Sequence, residues 1–329
     1  MAETRFGAAI NKALADAMEA DSTVVLLGED IAMPGGPFGV TRGLMQRFGG
    51  QRVRDTPISE AAIAGMAVGA ALTGMKPVVE IMFMDFMTFA MDAIVNQAAK
   101  AHFMFGGQCS VPMVVRTPHG GGLNAGPQHS QCLEAWFAHV PGLKVVVPSN
   151  PADAYGLLRS AIADPNPVIF VENKTLYSSK GLLDADAAAI PLGSARVCRV
   201  GSDVTLVSYG ATVNSCIAAA DILDSESCSV EIIDLRCIQP WDQALVTASV
   251  RKTGRLVIAH EAVTPFGVGA EIAATISEQA FNQMKSPPFR VGAAFMPVPF
   301  GRSLERGYLP GKEEIVEALQ RSMNWKKSA

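Results

Sequence analysis

Apolar and polar positions along the chain fall into a repeating pattern. Phe6, Ile10, Leu14 and Met18 stand at every fourth position, which predicts an amphipathic helix over 5–20. Residues 24–27 form an unbroken apolar run ending at Gly28-Glu29-Asp30, and read as a short strand. A Pro-Gly-Gly-Pro loop and a short helix fill 31–50. Ser59 stands where an N-cap would open a helix over 60–74. Further strands are expected at 78–82, 111–116, 144–147 and 168–171, with one long helix over 86–104. The strand at 168–171 is expected to be the last of this half. All-apolar strands alternating with helices imply a parallel sheet covered on both faces.

Residues 175–200 interrupt this pattern with Ser178, Ser179, Gly181 and an acidic, Ala-rich stretch. A linker is placed at 181–200, between a first domain over 1–180 and a second over 201–329. In the second domain strands at 203–209, 229–235, 255–260 and 289–295 alternate with helices at 211–224, 242–251 and 268–282. The fold class expected is therefore α/β, with two doubly wound parallel-sheet domains. A chain of 329 residues agrees with two domains at about 150 residues each.

Composition narrows the function. Hydrophobic residues make up 49% and charged ones 18%, which excludes a disordered or collagen-like chain. The 27 basic and 31 acidic residues nearly cancel. No basic block gives a nucleic acid a footing. The first residues lack a basic segment followed by an apolar one, so no secretory signal is expected. Residues 61–75 carry no charge, but a membrane span needs about 20 residues, so this stretch reads as a buried core helix. The cysteines form no C-x-x-C pair and read as reduced thiols of a cytoplasmic protein.

Familiar signatures fail. There is no Walker loop and no G-x-S-x-G elbow. Gly120-Gly121-Gly122-Leu123-Asn124-Ala125 fits the dinucleotide fingerprint in form, but Gly126-Pro127 follows where a helix should open. His260-Glu261 has no second His, and the histidines show no metal-ligand spacing.

Three features remain. Glu60 opens an almost wholly apolar helix. The plain reading is an acid favoured by the helix dipole. The functional one is a partly desolvated carboxyl, raised in pKa and suited to exchange a proton with a ligand. Gly65, Gly69 and Gly74 in the same stretch suggest a close helix contact, such as one between subunits. The second feature, Glu80 to Phe89, offers Met82 and Phe86 as an apolar slot for an aromatic ring, or simply as core. The third is His129, in the loop Gly126-Pro127-Gln128-His129-Ser130-Gln131, either catalytic or structural.

Taken in order, these pieces resemble the beta subunit of the thiamine-diphosphate-dependent decarboxylase component of 2-oxo acid dehydrogenase complexes. Leu27-Gly28-Glu29-Asp30, Asp55-Thr56-Pro57-Ile58-Ser59-Glu60, Asn96-Gln97-Ala98-Ala99-Lys100 and Gln128-His129-Ser130-Gln131 carry the resemblance most specifically. Pro141 to Val146, Pro167 to Asn173, Gly201 to Thr205, Asp234-Leu235-Arg236 and Phe266 to Glu271 extend it to both halves. It implies a pyrimidine-binding first domain and a second domain of the transketolase C-terminal type. Glu60 falls on the glutamate that activates the pyrimidine at N1′, and Phe86 on its stacking partner, with Met82 nearby. Glu29 falls on an acid linked to proton communication between paired sites. His129 falls on the histidine that meets substrate and assists acyl transfer. Some members hold potassium through a segment matching Met113, Ala161, Ile162, Asp164 and Asn166, although Pro165 departs from the pattern.

The family holds its diphosphate through Mg²⁺ on a Gly-Asp-Gly segment, yet this chain contains no Asp-Gly dipeptide. The resemblance therefore implies half an active site, completed by an alpha subunit that brings the Mg²⁺ ligands in an α₂β₂ heterotetramer. The implied reaction is oxidative decarboxylation of pyruvate, with acyl transfer to a lipoyl acyltransferase core. Acetoin is the close alternative and branched-chain 2-oxo acids the next. A non-catalytic scaffold and a self-sufficient transketolase-type enzyme are the competing classes.

Overall fold

The computed structural model describes residues 1–226 and 228–326. Position 227 and positions 327–329 of the expected second domain lie outside the described residues. The first half runs β1 (Ala2–Arg5), α1 (Phe6–Ala20), β2 (Val24–Gly28), α2 (Leu44–Phe48), β3 (Val53–Asp55), α3 (Glu60–Leu72) and β4 (Lys76–Glu80). A 3₁₀ segment (Met84–Ala90), a π segment (Asp92–Ala98) and α4 (Ala99–Met104) follow. Next come β5 (Val114–His119), α5 (Glu134–Ala138), β6 (Lys144–Val146), α6 (Pro151–Ala163) and β7 (Val168–Asn173). The second half has β8 (Lys180–Leu183), β9 (Arg196–Arg199), β10 (Val204–Ser208), α7 (Thr212–Leu223), β11 (Val230–Asp234) and β12 (Cys237–Gln239). It ends with α8 (Gln243–Thr253), β13 (Leu256–Val263), α9 (Val268–Ala280), β14 (Phe289–Ala293), α10 (Arg302–Tyr308) and α11 (Lys312–Met323).

Two parallel-dominated sheets result, as the pattern predicts. The first has the order β12-β6-β7-β5-β4-β2-β3 and the second β14-β13-β10-β11-β9. In the first, β2 runs parallel to β3 and β4, and β5 parallel to β4 and β7. All six residues of β5 and of β7 are buried, because helices cover both faces. On one face α1 packs on α6. Ile10, Leu14 and Met18 are almost wholly buried there, each contributing about 1.5–3 kcal/mol of burial. On the other face Ile63, Val79 and Ile169 share one apolar core with Val207, Ile233 and Ile258 of the second sheet. The two halves are thus joined by continuous packing.

Four departures from the pattern have local causes. The helix expected over 86–104 is broken into 3₁₀, π and α segments. The 3₁₀ turn brings the Met84 sulfur within 3.1 Å of the Leu133 amide and Asp85 to Gln131. The strand expected at 111–116 begins at Val114, because the Met113 amide bonds back to Val111 (2.8 Å). Strand β7 does not close the first sheet: β12, from the second half, adds antiparallel to β6. It is too short to show a pattern of its own. The apolar helix α3 buries one face only, leaving Met66 and Leu72 exposed with Gly65 and Gly69.

The stretch 181–200 carries paired backbone. Strand β8 pairs antiparallel with β1, and β9 with β11. Between them the Ile190 amide bonds to Gly156 of α6 (3.0 Å). Helices α10 and α11 were not expected from the pattern. α11 packs on α7 through Ile315 and Leu319. Among the described residues no helix is long and apolar enough to cross a membrane.

Candidate active site

Ligands of open parallel sheets bind beyond the carboxyl ends of the strands. In the first sheet the ends of β2, β3 and β4 stand side by side on that edge. The Thr56 amide bonds to the Gly28 carbonyl (2.9 Å), tying two of them together. Gly28 has no room for a side chain, since a Cβ would stand 2.9 Å from the Glu80 carbonyl. That close approach lets the chain turn directly into Glu29. Ser59 occupies the N-cap position of α3, but its side chain makes no capping hydrogen bond.

A cavity of about 700 Å³ opens at these ends. Glu29, Thr56, Glu60, Met82, Phe86 and Phe89 are among its walls. Four of the residues singled out in the sequence therefore meet in one place. Glu29 and Glu60 are both buried. Burial, then the charge of Glu60 and that of Asp30, push the Glu29 carboxyl above the ordinary glutamate value. Glu29 Oε1 and Thr56 Oγ1 are buried without a hydrogen-bond partner. Buried polar atoms are rarely left so. The wall thus pairs apolar Met and Phe with unsatisfied oxygens, which suits a flat, nitrogen-bearing aromatic ring. No Lys or Arg among the described residues lines the cavity.

His129 joins the same neighbourhood through aromatic contacts. Its ring stands edge-on to Phe86 (5.3 Å) and Phe83 (4.9 Å). Two residues that sequence reasoning passed over hold its loop. Buried Lys174 donates to the His129 carbonyl and sits 5.3 Å over the Phe83 ring. Burial lowers its ammonium from the usual lysine range, against the pull of Asp85. Asp85 accepts from the Gln131 side chain (2.8 Å). Both are isolated charges in the sequence, with no spacing to mark them.

The Gly-rich loop after β5 is a joint between the halves. Its Gly121 amide donates to Glu261 (2.5 Å) and its Asn124 amide to Glu305 (2.9 Å). A Cβ on Gly120, whose φ is +89°, would lie 2.6 Å from both Asn173 and Glu261. Amides already engaged by carboxylates offer nothing to a phosphate.

Met113, Ala161, Ile162, Asp164 and Asn166 lie at the opposite, amino-terminal ends of the strands. Lys144 grips both Asp164 oxygens (2.7 and 2.6 Å). The Met113 and Ala161 carbonyls accept from Val168 and Asp164 (3.0 and 3.3 Å). Carbonyls retain a second lone pair for a cation, but the Asp164 charge is already met by an ammonium.

Comparison with known proteins agrees with this architecture. Residues 2–180 match the transketolase pyrimidine-binding domain and residues 193–315 the transketolase C-terminal domain. The chain is 45% identical over 318 residues to the pyruvate dehydrogenase E1 component subunit beta-2, mitochondrial, of Oryza sativa subsp. japonica. That match covers 95% of this chain and 85% of the relative. The corresponding subunit of Rhizobium meliloti is 46% identical, over 95% of this chain and 68% of its own. The beta subunit of acetoin:2,6-dichlorophenolindophenol oxidoreductase of Bacillus subtilis is 45% identical, over 94% of each. In fold, the chain is similar to a split-gene transketolase described as an inactive beta4 tetramer. The TM-score is 0.80 at 23% identity, covering 97% of this chain and 98% of that one. With its paired transketolase-type domains and near-complete match to these relatives, the chain belongs to the pyruvate dehydrogenase E1 beta subunit family.

Proposed function

We propose that this chain is the beta half of a thiamine-diphosphate-dependent 2-oxo acid decarboxylase. It would act on pyruvate and pass the acyl group to lipoamide on an acyltransferase core. The observation that carries the reading is the cavity where Glu29 and Glu60 face Met82 and Phe86. Thiamine diphosphate, when bound, supplies the nucleophilic carbon and the electron sink. The chain's part is orientation and proton handling. Phe86 offers its ring to the pyrimidine, and Met82 a soft apolar contact. Glu60 holds a proton at ring nitrogen N1′, and Glu29 keeps a second shareable proton beside it. His129, edge-on to Phe86, borders the substrate side, with Lys174 fixing its loop.

A diphosphate needs a cation, and among the described residues no Lys or Arg lines this cavity. The Mg²⁺ ligands are therefore assigned to an alpha subunit, in an α₂β₂ assembly with cofactor at the interface. The uncovered apolar face of α3, with Met66 and Leu72 exposed beside Gly65 and Gly69, supports a subunit contact there. A potassium ion at the Asp164 loop would be structural, since Lys144 already balances the carboxylate. No disulfide joins the described cysteines, which fits a cytoplasmic setting.

The names of the E1 relatives favour pyruvate. The acetoin enzyme's equal identity supports acetoin cleavage as the second reading, ahead of branched-chain 2-oxo acids. Co-purification with the alpha subunit, followed by dye reduction with pyruvate, acetoin and branched 2-oxo acids in parallel, decides among them. Glu60→Gln in that assembly should lower turnover by at least about 100-fold. Undiminished turnover would favour a scaffold. Activity of the chain alone would point to a self-sufficient enzyme.

A further inference from the structure

Where β5 ends and α5 begins, three side chains without a role in the proposed reaction converge. His119 is the last residue of β5, Glu134 the first of α5, and Cys132 lies two residues before it. A ring nitrogen of His119, the Cys132 sulfur and a Glu134 oxygen all lie within 4.8 Å of one another. His119 Nδ1 and Glu134 Oε2 are 3.6 Å apart. Tetrahedral zinc, bonded at about 2.0–2.3 Å, spaces its ligand atoms roughly 3.3–3.6 Å apart. The nitrogen and oxygen already have that spacing. The sulfur comes within reach by a shift of little more than about 1 Å, which a side-chain rotation supplies.

Hydrogen bonding points the same way. His119 is 2% exposed and Glu134 fully buried. Both ring nitrogens of His119 and Glu134 Oε2 have no hydrogen-bond partner. The His119–Glu134 ion pair, at 3.6 Å, is longer than the roughly 2.7–2.9 Å of a charge-assisted hydrogen bond. The other Glu134 oxygen, Oε1, accepts from the Tyr209 hydroxyl (2.9 Å). Fixing one carboxylate oxygen by a hydrogen bond while the other faces the cluster is how metal-bound carboxylates are oriented. Thiolate and imidazole select a transition metal over magnesium or calcium. A divalent ion with one thiolate, one carboxylate and one neutral imidazole is also electrically balanced.

We propose that His119, Cys132 and Glu134 bind one divalent transition-metal ion of the zinc type, with water at the fourth tetrahedral position. Coordination replaces the Cys132 S–H bond by a metal–sulfur bond and releases that proton to solvent. The imidazole binds in its neutral form. The ion staples the loop that carries His129 to β5. Through Tyr209, which lies just beyond β10, it also ties this corner to the second half.

The test uses the purified full-length chain, freed of metal and titrated with cobalt(II), and so is independent of the thiamine reading. The expected result is one cobalt per chain, with an intense thiolate-to-cobalt charge-transfer band. Cys132→Ser should abolish that band, and His119→Asn should weaken binding at least about tenfold. Zinc should displace the cobalt and raise the melting temperature of the wild type but not of Cys132→Ser. Glu134→Gln provides a second comparison if Cys132→Ser does not fold. Absence of the thiolate band in the wild type, or equal zinc content in wild type and variants, would overturn the site.

Discussion

Glu29, just past the end of β2, and Glu60, the first residue of α3, share one cavity, where burial and the Glu60 charge together raise the Glu29 carboxyl. Removing that charge must let Glu29 ionise more readily. In Glu60→Gln the Glu29 carboxyl is expected to titrate at lower pH than in the wild type. Carboxyl-carbon NMR with glutamate labelling reads this directly. An unchanged titration would mean that the two groups are not coupled.

Phe86 is half-buried on the same wall and touches Phe83 and His129 edge-on. Stacking of this kind contributes about 0.5–1.5 kcal/mol beyond area burial. Phe86→Ala should therefore weaken thiamine diphosphate binding to the assembled protein by about tenfold, with Phe86→Leu in between. Calorimetric titration of cofactor into each variant measures it.

Two glycines should respond in opposite ways. Gly142 has φ +100°, and a Cβ there would lie 2.0 Å from the Ala99 carbonyl oxygen. Gly142→Ala should cost about 2–4 kcal/mol, read as a lower denaturant midpoint. A Cβ on Gly65, on the open face of α3, would meet no described atom within 4 Å beyond its own helix. Gly65→Ala should stabilise the isolated chain by about 0.5–1 kcal/mol yet weaken association with an alpha subunit that approaches this face. Sedimentation of the mixed subunits tests the second effect.

Asp234 makes stability depend on pH. It is buried and accepts from Ser149 (2.5 Å). Burial, with the nearby charge of Asp153, pushes its carboxyl up to about 6. The folded state therefore holds this proton more tightly than the unfolded one. Its contribution is fully favourable below the unfolded value near 4, and is lost as pH rises towards 6. The contribution lost across that window is roughly 3 kcal/mol at most. Asp234→Asn should be more stabilising, relative to wild type, at pH 7.5 than at pH 5. Urea unfolding at both pH values checks the sign.

Potassium gives a further comparison. If the Asp164 loop holds the ion, replacing sodium chloride by potassium chloride at equal ionic strength should raise the melting temperature, with turnover unaffected at low temperature. Identical melting curves would leave Lys144 as the only cation at Asp164.

Local order was written in the sequence. The apolar runs of β2, β4, β5 and β7 and the amphipathic spacing of α1 repeat at short range, so each element could be found from its own residues. Both parallel sheets followed from that alternation. Glu29, Glu60, Met82, Phe86 and His129 could be singled out because they sit within short, distinctive strings. Tertiary structure decided what depends on contacts between distant residues. The three-residue strand β12 has no pattern of its own and exists by pairing with β6. Lys174 and Asp85 reach the His129 loop only because β7 and the 3₁₀ turn after β4 converge on it. His119 meets Cys132 and Glu134 only because the loop between β5 and α5 folds back on itself. Sequence spacing reports periodicity along a chain, whereas these relationships depend on where the packed sheets bring its loops together.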